Sequence, residues 1–316
     1  MTYRIPLPDG GRRDRLDIVE PNSTAVQRFL RRDGLAAYEP ATVAALLALF
    51  EQAGDGFAFF DVGANMGLYA LLADTLFEPA AVHAFEPTPA TAAVLRKLRK
   101  ANRSDIDVIE AAASDVAGRA VLHLSNMSDA SNSLVEGFKD SHGVTEVATL
   151  RLDDHVSRTG VRPDVMKVDV ETFEPAVLAG ARETIATARP AIVIEVLNRR
   201  GHDHGEEITA AMAEHGYSYY RLTAEGDWTA RQVVTGTPGS KENDWLLTPE
   251  PLDPAFPQRF ASWRDRVARC TPDRNSRVPI GRSVAAAMRR GGVSEVYATA
   301  RRYAAAVHRE RDRPTS

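Results

Sequence analysis

The chain has 316 residues, of which 44% are hydrophobic and 26% charged, with a formal net charge of −4. This composition excludes disorder across the whole chain, and the mildly acidic charge provides no general attraction for a nucleic-acid backbone, so we expect no nucleic-acid partner. The single cysteine, an N-terminus without the apolar core of a signal peptide and the absence of a membrane-span pattern predict a cytoplasmic protein.

Residues 1–39 mix Pro, Gly and Arg with short apolar runs, which predicts an N-terminal arm or small helical cap rather than part of the core. A helix is predicted from Pro40, because apolar residues then recur at helical spacing until Gly54. The following segments alternate between strand-like and helix-like patterns of hydrophobic residues. Strands are expected at 57–63, 81–87, 106–114, 120–125, 164–170, 191–197, 217–223 and 243–249, and helices at 66–77, 89–102, 175–188 and 208–216.

This alternation predicts an α/β fold with a Rossmann-like, doubly wound, mostly parallel sheet. We expect the sheet to form one core over residues 40–249. Residues 250–316 become rich in Pro and then in Arg and Ala, which predicts a C-terminal helical extension. Its arginines are interpreted as a solvated helix face, and the alternatives are a cover over the substrate or a homodimer formed through these helices.

A glycine-containing turn follows the first predicted core strand, in the sequence Asp61-Val62-Gly63-Ala64-Asn65-Met66-Gly67. Glycine lets the backbone turn sharply and approach a ligand closely. Glu86 ends the next strand, roughly twenty residues later, where an acid that binds ribose hydroxyls is expected. Such turns also occur in α/β proteins without a cofactor, but the acid at the end of the next strand strengthens the case for a ligand site. Together they predict a nucleoside site.

The identity of the nucleoside is argued from what the turn lacks. A dinucleotide site usually has G-x-G-x-x-G, which admits a diphosphate, whereas Ala64 and Asn65 occupy the middle positions here. Asp61 precedes the turn, and an acid suits a ligand that carries an ammonium group. S-adenosylmethionine has that ammonium group as well as a sulfonium, so the turn favours it over NAD.

The segments DVGANMGLYALLA, AFEPTP, SDASNSL, TLRLDDH, MKVDVETFEPAVLAGA and RPAIVIEVLN together resemble the FkbM family of methyltransferases. The resemblance runs from about residue 38 to about residue 247. It implies a Rossmann-like core that uses S-adenosylmethionine for O-methylation of sugars or natural products. One departure is Thr172-Phe173, since the family usually has a glycine after the acid of K-x-D-x-E-G.

The resemblance also implies positions for the cofactor. The methionine moiety would be surrounded by the turn, the ribose would be held by Glu86, and the adenine would lie next to Ser114 and Asp115. The turn residues concerned are Asp61, Gly63, Ala64, Asn65 and Gly67.

Methyl transfer to oxygen needs aligned reactants and the removal of one proton. Strand 120–125 is interpreted as an extra strand, so 164–170 and 191–197 are the fourth and fifth core strands. Asp169 and Glu195 lie at the ends of these two strands and should open onto the crevice beside the glycine turn. Lys167 shares a strand face with Asp169, so the two are expected to act as a pair. For Asp169, Glu171 and Glu195 the hypotheses are acceptor binding, proton acceptance or a divalent cation, and the alternative is a structural ion-pair network.

Two polar segments supply further candidates. His202 and His204 follow the fifth strand, and either histidine is a candidate general base, although such clusters are commonly solvated loops. Ser131 and Asn132 match the family's Ser-Asn-Ser segment and are candidate acceptor ligands, although this composition is also ordinary in turns.

The partner predicted from these residues is a small-molecule or glycan acceptor. Three other hypotheses remain. They are methylation of nucleic acid, a nucleotide-binding domain without catalysis, and hydride transfer with NAD on the same fold.

Overall fold

The structure is a computed structural model that describes residues 2–125, 132–135, 141–199, 202–237 and 242–272. Its strands are β1 Thr2–Pro6, β2 Arg15–Val19, β3 Ala58–Val62, β4 Ala81–Phe85, β5 Asp107–Ile109, β6 Ala112–Ala113, β7 Gly118–Ser125, β8 Ser141–Leu150, β9 Val165–Val168, β10 Ala191–Glu195, β11 Asn198–Arg199, β12 His202–Asp203, β13 Ser218–Arg221 and β14 Asp244–Thr248. Its α-helices are α1 Ala25–Asp33, α2 Pro40–Ala53, α3 Leu68–Leu76, α4 Pro89–Asn102, α5 Leu152–Thr159, α6 Glu174–Ala179, α7 Arg182–Ala188, α8 His204–Met212 and α9 Phe256–Val267.

The centre of the described chain is a seven-stranded sheet in the order β5-β4-β3-β9-β10-β14-β13. Adjacent strands from β5 to β10 are parallel, and β14 is antiparallel to both of its neighbours. The strand order reverses between β3 and β9, which is where ligands bind in doubly wound sheets. The predicted Rossmann-like, mostly parallel fold is confirmed.

Alternating side chains of the central strands fill two separate apolar layers. Phe59 and Val165 pack in one layer with helices α2 to α4, and Phe60 and Met166 pack in the other with α6 to α8. Because both faces are covered, these strands are almost continuously hydrophobic. Charged side chains within them are therefore exceptional and point to the crevice at the strand ends.

The described part of residues 1–39 packs into the core and contains the helix α1 as well as a hairpin, which corrects the prediction of an arm or small helical cap outside the core. β1 and β2 form an antiparallel hairpin, and Ile5, Leu16 and Ile18 are fully buried in the same apolar cluster as Phe59. Phe260 of α9 belongs to that cluster too. Leu16-Asp17-Ile18 has strand-like alternation, but the run is too short for the sequence to show what covers its apolar side.

Several other elements differ from the prediction. The short strands β11 and β12 were not predicted, and the strand expected over 106–114 is divided into β5 and β6. Strand β8 and helix α5 were not predicted, and the helix expected over 175–188 is divided into α6 and α7 around Gly180. A Cβ at Gly180 would lie 1.9 Å from the carbonyl oxygen of Ser114, so the break lets the two backbones approach closely. Helix α9 lies within the predicted C-terminal extension, of which residues 273–316 are outside the described residues. The homodimer and the domain boundaries stay predictions. No helix among the described residues is both long and apolar enough to cross a bilayer.

Candidate active site

The turn between β3 and α3 is folded tightly against the ends of β4 and β9. The backbone N–H groups of Gly63 and Ala64 both donate to the carbonyl of Phe85, at 3.0 and 2.9 Å. Gly63 has φ +83°, and a Cβ there would lie 1.8 Å from the carbonyl oxygen of Asp169. Asn65, with φ 51°, also adopts the left-handed conformation. The glycine is thus required both by its backbone angle and by the close approach of β9.

Gly67 begins helix α3 with φ +79°. A Cβ at this position would lie 2.1 Å from Cδ1 of Leu95 in α4. This second glycine therefore allows α3 to start close to the neighbouring helix.

Glu86 is buried at the end of β4, and backbone donors hold its carboxylate in place. Oε2 accepts from the N–H of Asn65 at 2.9 Å, and Oε1 accepts from the N–H of Thr88 at 2.8 Å. Each carboxylate oxygen has capacity for more than one hydrogen bond. The acid predicted to bind ribose is therefore fixed directly beside the glycine turn, with both oxygens oriented before any ligand binds.

Ser114 and Asp115 follow β6, which pairs with β8 in a separate three-stranded sheet. Ser114 is buried, its N–H donates to the carbonyl of Leu150, and its hydroxyl donates to Oδ1 of Asp115 at 3.1 Å. Asp115 is exposed. Their predicted place beside adenine stays a prediction.

Lys167 is the centre of a charged cluster under the turn. It is 2% exposed, and its Nζ donates to Oδ2 of Asp169 at 2.7 Å and lies 4.9 Å from the ring centroid of Tyr69. Burial lowers the pKa of Lys167, but Asp169, Glu39, Asp244 and Asp61 raise it by more, so the ammonium stays charged. The predicted pairing of Lys167 with Asp169 is present in the structure.

Asp61 lies beside Lys167 in the register of β3 and β9. Its Oδ2 accepts from the N–H of Ala70 at 3.0 Å, whereas its buried Oδ1 has no hydrogen-bond partner among the described residues. Burial raises the pKa of Asp61 to about 6, although Lys167 acts in the opposite direction. A buried acceptor without a donor is costly, so this oxygen suits a cationic or N–H-bearing ligand.

The turn after β9 is strained. Glu171 and Thr172 have φ 55° and 80°, a conformation that is unfavourable for a β-branched residue. Thr172 occupies the position where the sequence departs from the family's usual glycine, and its left-handed φ explains why glycine is usual there. Glu174 holds the turn, because its Oε1 accepts from the N–H groups of Val170 and Thr172 at 3.0 and 3.3 Å.

Glu195 and Asp244 are adjacent in the antiparallel register of β10 and β14. Burial, followed by the charges of Asp169 and Glu171, raises the pKa of Glu195 well above its usual range. Burial also raises the pKa of Asp244 to about 6, and Thr42 donates its hydroxyl to that carboxylate. Asp169 and Glu195 therefore both lie at the carboxyl ends of the central strands, as predicted.

The Ser-Asn-Ser segment connects the two halves of the crevice. The side-chain amide of Asn132 donates to the hydroxyl of Thr88 at 3.4 Å, and Ser133 donates its hydroxyl to the carbonyl of Glu171 at 2.8 Å. Ser131 lies outside the described residues. Asn132 and Ser133 thus contact the turns after β4 and β9, although a direct role in acceptor binding stays a prediction.

The two candidate histidines lie in regular secondary structure rather than in a solvated loop. The backbone of His202 pairs with Arg199 in the β11–β12 hairpin, and His204 begins α8 with Nδ1 3.9 Å from the carboxylate of Glu207. The role of either histidine as a general base stays a prediction.

Three residues of the crevice were not singled out from the sequence: Glu39, Glu174 and Asp244. Glu174 precedes Pro175 at the start of a helix, where an acid is ordinarily a partner of the helix dipole. Asp244 faces Glu195 only because of the strand register, which no local pattern reveals. Glu39 accepts a hydrogen bond from the Tyr69 hydroxyl. It lies far from Glu174 and Asp244 in the sequence.

Comparison with known proteins gives the family. The family model for the methyltransferase FkbM domain matches residues 61–219, which is half of the chain. The chain belongs to the FkbM methyltransferase family. The match includes the glycine turn, Glu86, Lys167 and Asp169, whereas Glu39 and Asp244 lie outside it.

Among curated proteins, the 31-O-demethyl-FK506 methyltransferase FkbM of Streptomyces tacrolimicus is 29% identical over 205 residues, with 54% of this chain and 75% of that protein covered. Among solved structures, the methyltransferase FkbM of Methylobacillus flagellatus is 17% identical with a TM-score of 0.42. That alignment covers 62% of this chain but only 44% of the other. A SAM-dependent methyltransferase from Agrobacterium tumefaciens is 11% identical, also with a TM-score of 0.42, over 79% and 70% of the two chains.

Proposed function

We propose that this FkbM-family methyltransferase transfers the methyl group of S-adenosylmethionine to a hydroxyl oxygen of a sugar or small natural product. The observation that carries the proposal is the carboxylate of Glu86, held by the N–H groups of Asn65 and Thr88 beside the glycine turn. A fixed carboxylate is suited to accept hydrogen bonds from the two hydroxyls of a ribose. The curated relative, whose name states O-methylation, supports the choice of oxygen.

The residues around the turn fit the charges of this cofactor. The unpartnered Oδ1 of Asp61 provides an acceptor for an ammonium group, and the left-handed Gly63 lets the turn lie directly against the backbone of Asp169. S-adenosylmethionine supplies an already activated methyl group. The protein therefore has to orient the acceptor, exclude water and take up one proton.

The groups at the ends of β9 and β10 are suited to the acceptor side. Lys167 remains charged and fixes Asp169 through a 2.7 Å hydrogen bond, so Lys167 orients a carboxylate rather than accepting a proton. Glu195, whose pKa is raised by burial and by Asp169, binds a proton more tightly than an ordinary glutamate. That property is needed in a general base, and we assign Asp169 to hydroxyl binding and Glu195 to proton acceptance.

Calorimetric titration with S-adenosylmethionine, its demethylated product and NAD tests the cofactor. We expect micromolar affinity for the first two, about −8 kcal/mol at 1 μM, and no binding of NAD. Glu86→Gln should weaken binding by more than about tenfold, since charged hydrogen bonds are the stronger ones. Glu110→Gln is the matched control, because Glu110 lies just after the next parallel strand and pairs with Arg96. Binding of NAD alone would overturn the proposal.

The acceptor is tested by incubating the protein with isotopically labelled methyl donor and a panel of hydroxylated macrolides and glycosides. Mass spectrometry should find the label on an oxygen. Label found only on nitrogen, carbon or RNA would refute the O-methylation part while leaving cofactor binding intact.

A further inference from the structure

The carboxyl ends of β9 and β10 hold three acids whose side chains converge. One carboxylate oxygen from each of Asp169, Glu174 and Glu195 lies within 4.8 Å of the other two. They come from three different elements, namely the end of β9, the first residue of α6 and the end of β10. Such convergence is unfavourable unless protons or a cation separate the charges.

A second observation points to a ligand. Glu174 is 0% exposed, and its Oε2 has no hydrogen-bond partner among the described residues. The other oxygen of the same carboxylate is occupied by the N–H groups of Val170 and Thr172. The carboxylate is thus anchored to the strained turn through Oε1 and keeps a buried, unpartnered acceptor in Oε2. The same side chain converges with those of Asp169 and Glu195.

The surrounding charges leave this group of acids under-compensated. Lys167 donates to Asp169, and Glu171 and Asp244 add negative charge near Glu195. One ammonium group therefore faces several carboxylates.

From this geometry we infer that Asp169, Glu174 and Glu195 form a site for an oxygen-preferring divalent cation such as Mg²⁺, Mn²⁺ or Ca²⁺. An all-carboxylate set matches these hard cations and offers no nitrogen or sulfur ligand. Two oxygens on opposite sides of such an ion are about 4.2 Å apart for Mg²⁺ and up to about 5.2 Å for Ca²⁺. Separations within 4.8 Å are of this size.

The assignment of the cation site does not depend on the proposed function. If the proposed function holds, the ion lies at the ends of β9 and β10 on the acceptor side. There it would bind the acceptor hydroxyl, and with the ion bound Asp169 and Glu195 would act as its ligands instead of as the hydroxyl-binding and proton-accepting groups.

The test is titration of the EDTA-treated full chain with Mn²⁺, followed by electron paramagnetic resonance of free Mn²⁺, with Mg²⁺ and Ca²⁺ as competitors. We expect one bound Mn²⁺ per chain that either competitor displaces. Glu174→Gln and Glu195→Gln should each weaken binding by more than about tenfold. Glu183→Gln is the matched control, because Glu183 is an exposed acid in the first turn of α7 and is outside the converging group, and it should keep the affinity of the unmodified protein.

Circular dichroism and calorimetric binding of S-adenosylmethionine verify that each variant is folded. Those two measurements also separate this proposal from the proposed function, since cofactor binding can succeed where Mn²⁺ binding fails. Absence of Mn²⁺ binding at millimolar concentration, or equal weakening in Glu183→Gln, would overturn the site and leave protons as the groups that separate the three carboxylates.

Discussion

Replacement of Lys167 by Met tests whether this lysine is the electrostatic centre of the crevice. Methionine has a similar length but no charge, so the substitution removes the donor 2.7 Å from Asp169 with little change of volume. Removing one partner of a buried ion pair costs about 3–5 kcal/mol. The side chain of Asp169 is 28% exposed, which allows partial hydration, so we expect the lower end, about 3 kcal/mol.

The measurement is urea unfolding near neutral pH, with the midpoint and slope compared between variants. The matched control is Lys167→Met combined with Asp169→Asn, which removes both charges. Because the two residues are in contact, we expect the double variant to recover about 1–3 kcal/mol relative to the sum of the single changes. A cost below about 1 kcal/mol for Lys167→Met, the value of an exposed pair, would refute the argument.

Three further predictions concern the turns and the buried histidines. Burial, together with His83 and Arg158, lowers the pKa of His155 from 6.5 to about 4, so the unfolded chain binds the extra proton between these values. The stability that this histidine provides is present above pH 6.5 and declines by about 3 kcal/mol as the pH falls to 4. The free energy of unfolding, measured with urea at several pH values in this range, should depend less on pH in His155→Phe. An identical dependence on pH in the two proteins would contradict the prediction. Gly63→Ala should abolish S-adenosylmethionine binding measured by calorimetry, because its Cβ would lie 1.8 Å from a carbonyl oxygen, and full retention would show that the turn relaxes cheaply. Thr172→Gly should stabilise the chain by about 1 kcal/mol in thermal unfolding, because its φ is 80°, whereas destabilisation would mean that the buried threonine side chain contributes more than the strain costs.

The parallel sheet was predictable because its signals are local. Residues 57–60 and 191–194 are continuous apolar runs, and each is followed closely by a charged residue at the end of its strand. Glu86 was found for the same reason, since the spacing from glycine turn to ribose acid is set by one helix and one strand. Local periodicity and fixed spacing thus gave the central strands and the cofactor side of the crevice.

The acceptor side was only partly predictable, because it is assembled by contacts between distant residues. Asp244 faces Glu195 through an antiparallel register, and Glu39 reaches Tyr69 from the start of α2. Glu174 resembles an ordinary first residue of a helix, and only its burial distinguishes it. The hairpin of β1 and β2 was missed for a related reason, since its buried face exists only against the rest of the core.

The short segment around Asn132 limits how independently the binding sites for the methyl donor and the acceptor can change during evolution. One of its side chains contacts the turn that follows Glu86, and the next contacts the backbone of Glu171. If this segment contacts the acceptor, as predicted, a change that admits a bulkier acceptor will also disturb the neighbourhood of Glu86. Altered acceptor choice and weakened donor affinity should appear together in variants selected here, whereas substitutions in the β11–β12 hairpin are free of that particular link.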